Sequence, residues 1–252
     1  MRILSALVFS LALLGPAATA QAIDVQVSVL PGHATPQGTR MAALRLTLPA
    51  GWKTYWRAPG DAGIPPLIVL NDAPGAQLHW PTPDVFDQNG MRSVGYHDSV
   101  VLPIEVPGDL ERLAGSLDIG VCLDICVPVS LTFDTALPPA QTAQEPAVLA
   151  ALLDQPQPGG HAVCHLQAAD DGLILHATLT LPPTGTTEEL VIETADPAIW
   201  VSEPVIERRG DTLLATARLV RGGQAFGLDR GGLRFTVLGS DRAIDLHGCS
   251  AP

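Results

Sequence analysis

Val25-Gln26-Val27-Ser28-Val29 and Leu44-Arg45-Leu46-Thr47-Leu48 each alternate an apolar with a second, mostly polar residue. Successive side chains of a strand point to opposite faces, so a period of two gives each stretch one apolar face. Short β-favouring runs recur outward from these two. Leu67–Leu70, Val100–Val106, Ser116–Ile119 and Val127–Phe133 lie in the first half. Ala162–Gln167, Leu173–Leu181, Leu190–Thr194, Leu213–Leu219 and Leu233–Leu238 lie in the second. Most of the 23 prolines and 24 glycines among 252 residues fall between such runs as turn signals. The pattern predicts an all-β chain of antiparallel sheets packed as sandwiches. Its clearest seam is 138–160, a Pro- and Gln-rich stretch with one short helix over Pro146–Leu153, where Pro146 sits in the first turn and its missing N–H costs nothing. We therefore expect a sandwich over 23–137, a linker over 138–160 and a second sandwich over 161–252.

The N-terminus opens with Met1-Arg2, an apolar stretch Ile3–Leu14 and the small residues Ala17-Ala18-Thr19-Ala20-Gln21-Ala22. A basic start, a short apolar segment and an Ala-x-Ala site define a cleaved secretory signal peptide over 1–22, with the mature chain starting near Gln21 or Ile23. The apolar segment is shorter than the ~20 residues a membrane span needs. The expected location is a bacterial periplasm, where disulfides persist. The formal net charge of −12 argues against nucleic acid and anionic membranes as partners. No serine–histidine–acid arrangement, phosphate loop or dinucleotide fingerprint stands out.

The four cysteines are Cys122, Cys126, Cys164 and Cys249, which allow three pairings. The parsimonious one is 122–126 with 164–249. Four residues of extended chain span about 13 Å, whereas a disulfide needs Cα atoms about 4.4–6.8 Å apart. Cys122 and Cys126 can pair only if Leu123, Asp124 and Ile125 turn, at a hairpin tip or in one helical turn. So small a loop removes little entropy from the unfolded chain, which makes the bridge a poor staple and a better redox centre. A small structural bridge and a copper(I) site are the alternatives. A zinc clip lacks further ligands nearby, so we assign no metal and no cofactor. Asp124 lies between the thiols, where a carboxylate raises a thiol pKa; it equally suits a solvated turn. Pro128 lacks an N–H and would hold a sheet edge open. A Cys164–Cys249 bridge would close about 85 residues, worth about 4–5 kcal/mol by loop entropy, and is read as structural.

Gly51-Trp52-Lys53-Thr54-Tyr55-Trp56-Arg57-Ala58-Pro59-Gly60-Asp61-Ala62-Gly63-Ile64-Pro65-Pro66, then Gly95–Pro103, then Cys122, Cys126 and Pro128 come in an order that resembles the periplasmic N-terminal domain of DsbD- and ScsB-type thiol:disulfide interchange proteins. The likeness covers about residues 25–135. The length resembles the ScsB-like branch, which implies two immunoglobulin-like domains and brings an association with copper tolerance. The resemblance implies that Cys122 and Cys126 are the reactive pair. It further implies a membrane-embedded thiol reductase as electron donor and a periplasmic thioredoxin-fold protein as acceptor, with a monomer expected. Cys126 is the favoured attacking sulfur. Two features depart from the family pattern. Three residues separate the cysteines where DsbD-type domains have five, and the stretch matching the cap loop, Asp87–Arg92, carries no aromatic ring. Phe86, Met91 or Tyr96 would have to shield the pair, with Asp87 beside it. A non-catalytic envelope binding module with structural disulfides is the rival reading. The aromatic block 51–66 reads as core and corner, with Arg57 and Asp61 pairing to fix its loop.

Overall fold

The computed structural model describes residues 23–61, 63–88, 90–222 and 226–252. The segment 1–22, expected to be a signal peptide, and Asn89 of the Asp87–Arg92 stretch lie outside the described residues. The all-β expectation holds. The first sandwich consists of β1 (Gln26–Ala34), β2 (Thr39–Thr47), β3 (Lys53–Tyr55), β4 (Leu67–Leu70), β5 (Gln77–Leu78), β6 (Asp84–Gln88), β7 (Met91–His97), β8 (Ser99–Pro107), β9 (Arg112–Cys122) and β10 (Cys126–Ala136). One sheet runs β1-β2-β8-β5 and the other β10-β9-β3-β7-β6, with β4 also on β9. After the helix α1 (Pro146–Leu153) comes the second sandwich: β11 (Gln157–Pro158), β12 (His161–Ala169), β13 (Gly172–Thr180), β14 (Glu188–Glu193), β15 (Trp200–Val201), β16 (Val205–Arg209), β17 (Thr212–Val220), β18 (Arg234–Gly239) and β19 (Ala243–His247). Its sheets run β11-β19-β18-β14 and β12-β13-β17-β15, with β16 on β17.

The alternation in β2 becomes burial: Leu44 and Leu46 are enclosed, and Thr47 is exposed. They meet Leu102 and Ile104 from β8, and Val94, Leu117, Ile119 and Val121 from the opposite sheet, in one core with Trp56. A bulge between Leu30 and His33 lets β1 bend over β2. Gly32 makes it possible, with φ of 64° and a site where a Cβ would sit 1.4 Å from the Met41 carbonyl oxygen. In the second sandwich Leu175, Leu179, Leu213, Phe235, Val237 and Leu246 form a separate core.

Three strands of the second sandwich break the alternation. Leu190-Val191-Ile192, Phe235–Leu238 and Ala243–Leu246 are buried without a gap. The cause is a sheet covered on both faces. Leu190 and Ile192 face their own core. Val191, Leu238 and Ala243 join the core cluster of the first sandwich. Two ion pairs reinforce this contact, Arg57–Glu193 at 2.9 Å and Arg92–Glu189 at 3.0 Å, and Arg92 also donates to the Leu190 carbonyl. The expected Arg57–Asp61 pair gives way to Arg57–Glu193. Backbone bonds from Trp56 to Val94 and from Val94 to Pro59 run this segment along β7, towards the second sandwich.

The segment between the sandwiches is fastened to the first. The Gln141 carbonyl accepts from the Ala34 N–H, and the Asp154 carbonyl from the Thr82 N–H. Arg40, almost wholly buried, donates to the carbonyls of Leu110 and Pro138. Val148 of α1 packs on Met41 and Ala43. Gln157-Pro158, read in the sequence as linker, pairs in parallel with Ile244-Asp245.

Candidate redox site

Cys122 ends β9, Cys126 starts β10, and the two are cross-strand partners at a hairpin tip. They form a disulfide with Cα atoms 4.1 Å apart. Leu123, Asp124 and Ile125 make the turn, closed by a bond from the Leu123 N–H to the Ile125 carbonyl. Of the two expected geometries, this is the hairpin. Asp124 is exposed at the tip. Leu123 is 43% and Ile125 74% exposed, so the bridge is flanked by apolar side chains open to solvent. Cys122 has no exposed surface, whereas Cys126 is only half-buried.

Register decides which face carries the sulfurs. Lys53 pairs with Cys122 on one side and with His97 on the other. Cross-strand partners share a face, so Cys122, Lys53 and His97 form one row. Tyr55, two residues from Lys53, and Gly120, two from Cys122, share that face. It is the outer face of the sheet, because the intervening Val121 and Ile119 enter the core. Tyr55 is nonetheless 2% exposed. Its hydroxyl lies 2.9 Å from Cys122 Sγ and 3.0 Å from Cys126 Sγ. Disulfide sulfurs carry no proton, so the tyrosine O–H is the donor. Gly120 makes room for it: a Cβ there would come 2.9 Å from Tyr55 Cε2 and 2.9 Å from Ile64 Cβ. Thr54, on the other face, donates to the Gly120 carbonyl at 3.0 Å and holds β3 against β9.

The remaining candidates separate by the same parity. Tyr96 pairs with Thr54, which puts it on the core face, away from the sulfurs. It is buried, its hydroxyl donates to the Pro81 carbonyl at 2.9 Å, and burial pushes its pKa well above the usual phenol value. Phe86 lies near the row that contains Cys122: its ring is 5.1 Å from that of His97, and the Lys53 ammonium sits 4.5 Å above it. Met91 is half exposed at the turn of the β6–β7 hairpin. The Asp87 carboxylate accepts from the Gly90 N–H and closes that turn. Pro128, on the edge strand β10, pairs with Gly120 of β9 and so shares the face of the sulfurs. Tyr55 was missed as a site residue in the sequence. The available signal was Gly120 two residues before Cys122, a small residue on the sulfur-bearing face that a large neighbour can cover.

Cys164 and Cys249 are joined too, with Cα atoms 5.7 Å apart across 85 positions. Backbone bonds from Cys164 to Ser250 and from Ser250 to Ala162 flank the bridge, and Cys164 is fully enclosed. Among the described residues no group of three or more metal-ligating side chains converges, and no helix is long and apolar enough to cross a membrane.

An all-β sandwich with a cysteine pair at a hairpin tip is the class the geometry defines. Residues 20–138 match the family model of the N-terminal part of the thiol:disulfide interchange protein DsbD, so the resemblance holds across the whole first sandwich. Over both sandwiches the chain is similar in fold to the N-terminal periplasmic domain of ScsB from Proteus mirabilis, with a TM-score of 0.72 and 23% identity, covering 94% of this chain and 96% of that one. Among curated proteins none matches the chain.

Proposed function

We propose that this protein is a periplasmic thiol:disulfide interchange protein in which Cys122 and Cys126 relay electrons by dithiol–disulfide exchange. A membrane-embedded thiol reductase would supply the electrons and a thioredoxin-fold protein would receive them. The observation that carries this reading is the closed Cys122–Cys126 pair at an apolar, solvent-facing hairpin tip, inside the segment that matches the DsbD N-terminal family. The partly buried Cys126 is the more accessible sulfur and the one that meets the partner. As a thiolate it attacks the acceptor disulfide, forms a mixed disulfide and expels one acceptor thiolate. Cys122 then attacks the Cys126 sulfur, which closes the intramolecular bridge and releases the reduced acceptor. A Cys122→Ser variant therefore traps a mixed disulfide through Cys126 when expressed in the native envelope. Cys126→Ser, which leaves only the enclosed sulfur, traps far less. No adduct from either variant, with the acceptor present and oxidised, would contradict the relay.

A further inference from the structure

Resting on that exchange reaction, we infer that Tyr55 is the hydrogen-bond donor that carries Cys122 as a thiolate each time the bridge opens. When a donor thiolate attacks Cys126 Sγ, the intramolecular S–S bond breaks and a donor–Cys126 bond forms. The electron pair leaves on Cys122 Sγ. In the opposite direction Cys122 must again be a thiolate to attack the mixed disulfide. In each half one step therefore puts the charge on the sulfur with no exposed surface. An enclosed thiolate is poorly solvated, and burial by itself favours the protonated, inert thiol.

The Tyr55 hydroxyl, 2.9 Å from that sulfur, supplies what water cannot. A phenol is ordinarily the weaker acid, about 10 against about 8.5 for a thiol, and burial raises both. The phenol therefore keeps its proton where the thiol loses its own. The hydroxyl also reaches Cys126 Sγ at 3.0 Å, so it is in place before the bridge opens and needs no rearrangement. Lys53 shares the row with Cys122, but its ammonium sits over the Phe86 ring. The donor is preorganised by its surroundings on both sides. Trp56 anchors the next position in the core, and Gly120 leaves the space the ring fills.

A hydrogen bond to a charged acceptor is among the stronger kinds, so its loss should change the exchange equilibrium roughly tenfold. Wild-type protein and Tyr55→Phe are equilibrated in glutathione buffers and the opened Cys122–Cys126 pair is quantified by thiol alkylation and mass. We expect the variant to hold its disulfide about tenfold more strongly, about 30 mV more reducing, and the Cys122 alkylation profile to move to higher pH. A folded Tyr55→Phe protein with unchanged equilibrium and unchanged pH profile overturns the inference. A measurement on the wild type needs no variant: in the reduced protein the Tyr55 hydroxyl proton shifts downfield as Cys122 ionises, and a resonance indifferent to that titration overturns it equally. An adduct trapped by Cys122→Ser beside an unmoved Tyr55→Phe equilibrium sinks the role of Tyr55 alone and leaves the relay standing.

Discussion

Arg57 and Glu193 join the two sandwiches by a two-pronged contact. Nε and Nη2 of the guanidinium donate to the two carboxylate oxygens at 3.0 and 2.9 Å, while the same guanidinium stacks 3.8 Å above the Trp56 ring. Both side chains are largely shielded, so the pair is screened less than a surface bridge. Glu193→Gln keeps the shape and removes the charge. We expect a loss of about 1–2 kcal/mol in urea unfolding and faster proteolysis within 138–160. Unchanged protease resistance would show that the apolar contact through Val191, Leu238 and Ala243 suffices alone.

Gly120 is the second point of sensitivity. In Gly120→Ala the new methyl group meets Tyr55 and Ile64 at 2.9 Å, inside ordinary contact distance. Overpacking of this kind costs about 1–3 kcal/mol. It should also displace the Tyr55 hydroxyl, so chemical unfolding and the glutathione equilibrium move together. A variant as stable as the parent would mean that Ile64 swings away freely.

Unequal exposure of the two sulfurs predicts unequal chemistry. In the reduced protein Cys126 should react with iodoacetamide at least tenfold faster than Cys122, since alkylation follows access as well as thiolate fraction. Mass mapping of partially alkylated protein reads the ratio directly. Equal rates would place the enclosed sulfur at the surface once the bridge is open.

The Cys164–Cys249 bridge should behave as the opposite kind. It closes 85 positions and one of its sulfurs is enclosed. Glutathione that opens Cys122–Cys126 should leave it intact. Replacing both cysteines by alanine should cost the second sandwich about 2–5 kcal/mol while the first keeps its exchange equilibrium. Co-reduction of both bridges at one potential would refute this division.

Two carboxylates give the second sandwich an acid limit. Burial pushes Asp245 up, but hydrogen bonds and charge from Arg234, then His247, hold it below the usual carboxylate range. Burial likewise raises Glu188, and hydrogen bonds from Arg208 and Thr184 bring it below. A carboxylate depressed in the folded state stabilises above its unfolded pKa of about 4 and loses that contribution as pH falls through the folded value. The melting temperature should therefore hold from pH 7 to about 5 and drop below about 4. Arg208→Gln should lessen the acid-side drop while lowering stability at neutral pH.

Much of this was legible from residue order because the signals are local. The alternation of Leu44, Leu46 and Leu48 is enough to mark β2, and the three residues between Cys122 and Cys126 force a turn. Tyr55 was not legible, because its place beside the sulfurs depends on pairing Lys53 with Cys122, far apart in sequence. One residue of parity separates it from Tyr96, the tyrosine that local reading favoured. Arg57 was misread for a related reason: Asp61 is near in sequence, while Glu193 is near only after two sandwiches have docked.

The sheet of β14, β18 and β19, covered on both sides, has a consequence for encounter. Val191, Leu238 and Ala243 bind that sheet to the first core, and Arg57–Glu193 and Arg92–Glu189 tie its edge strand, so the hairpin sits on a sandwich braced from behind. For the proposed exchange, bringing three sulfurs into line then asks little ordering of the braced sheet. Under the proposed relay, recognition can then stay shallow and brief.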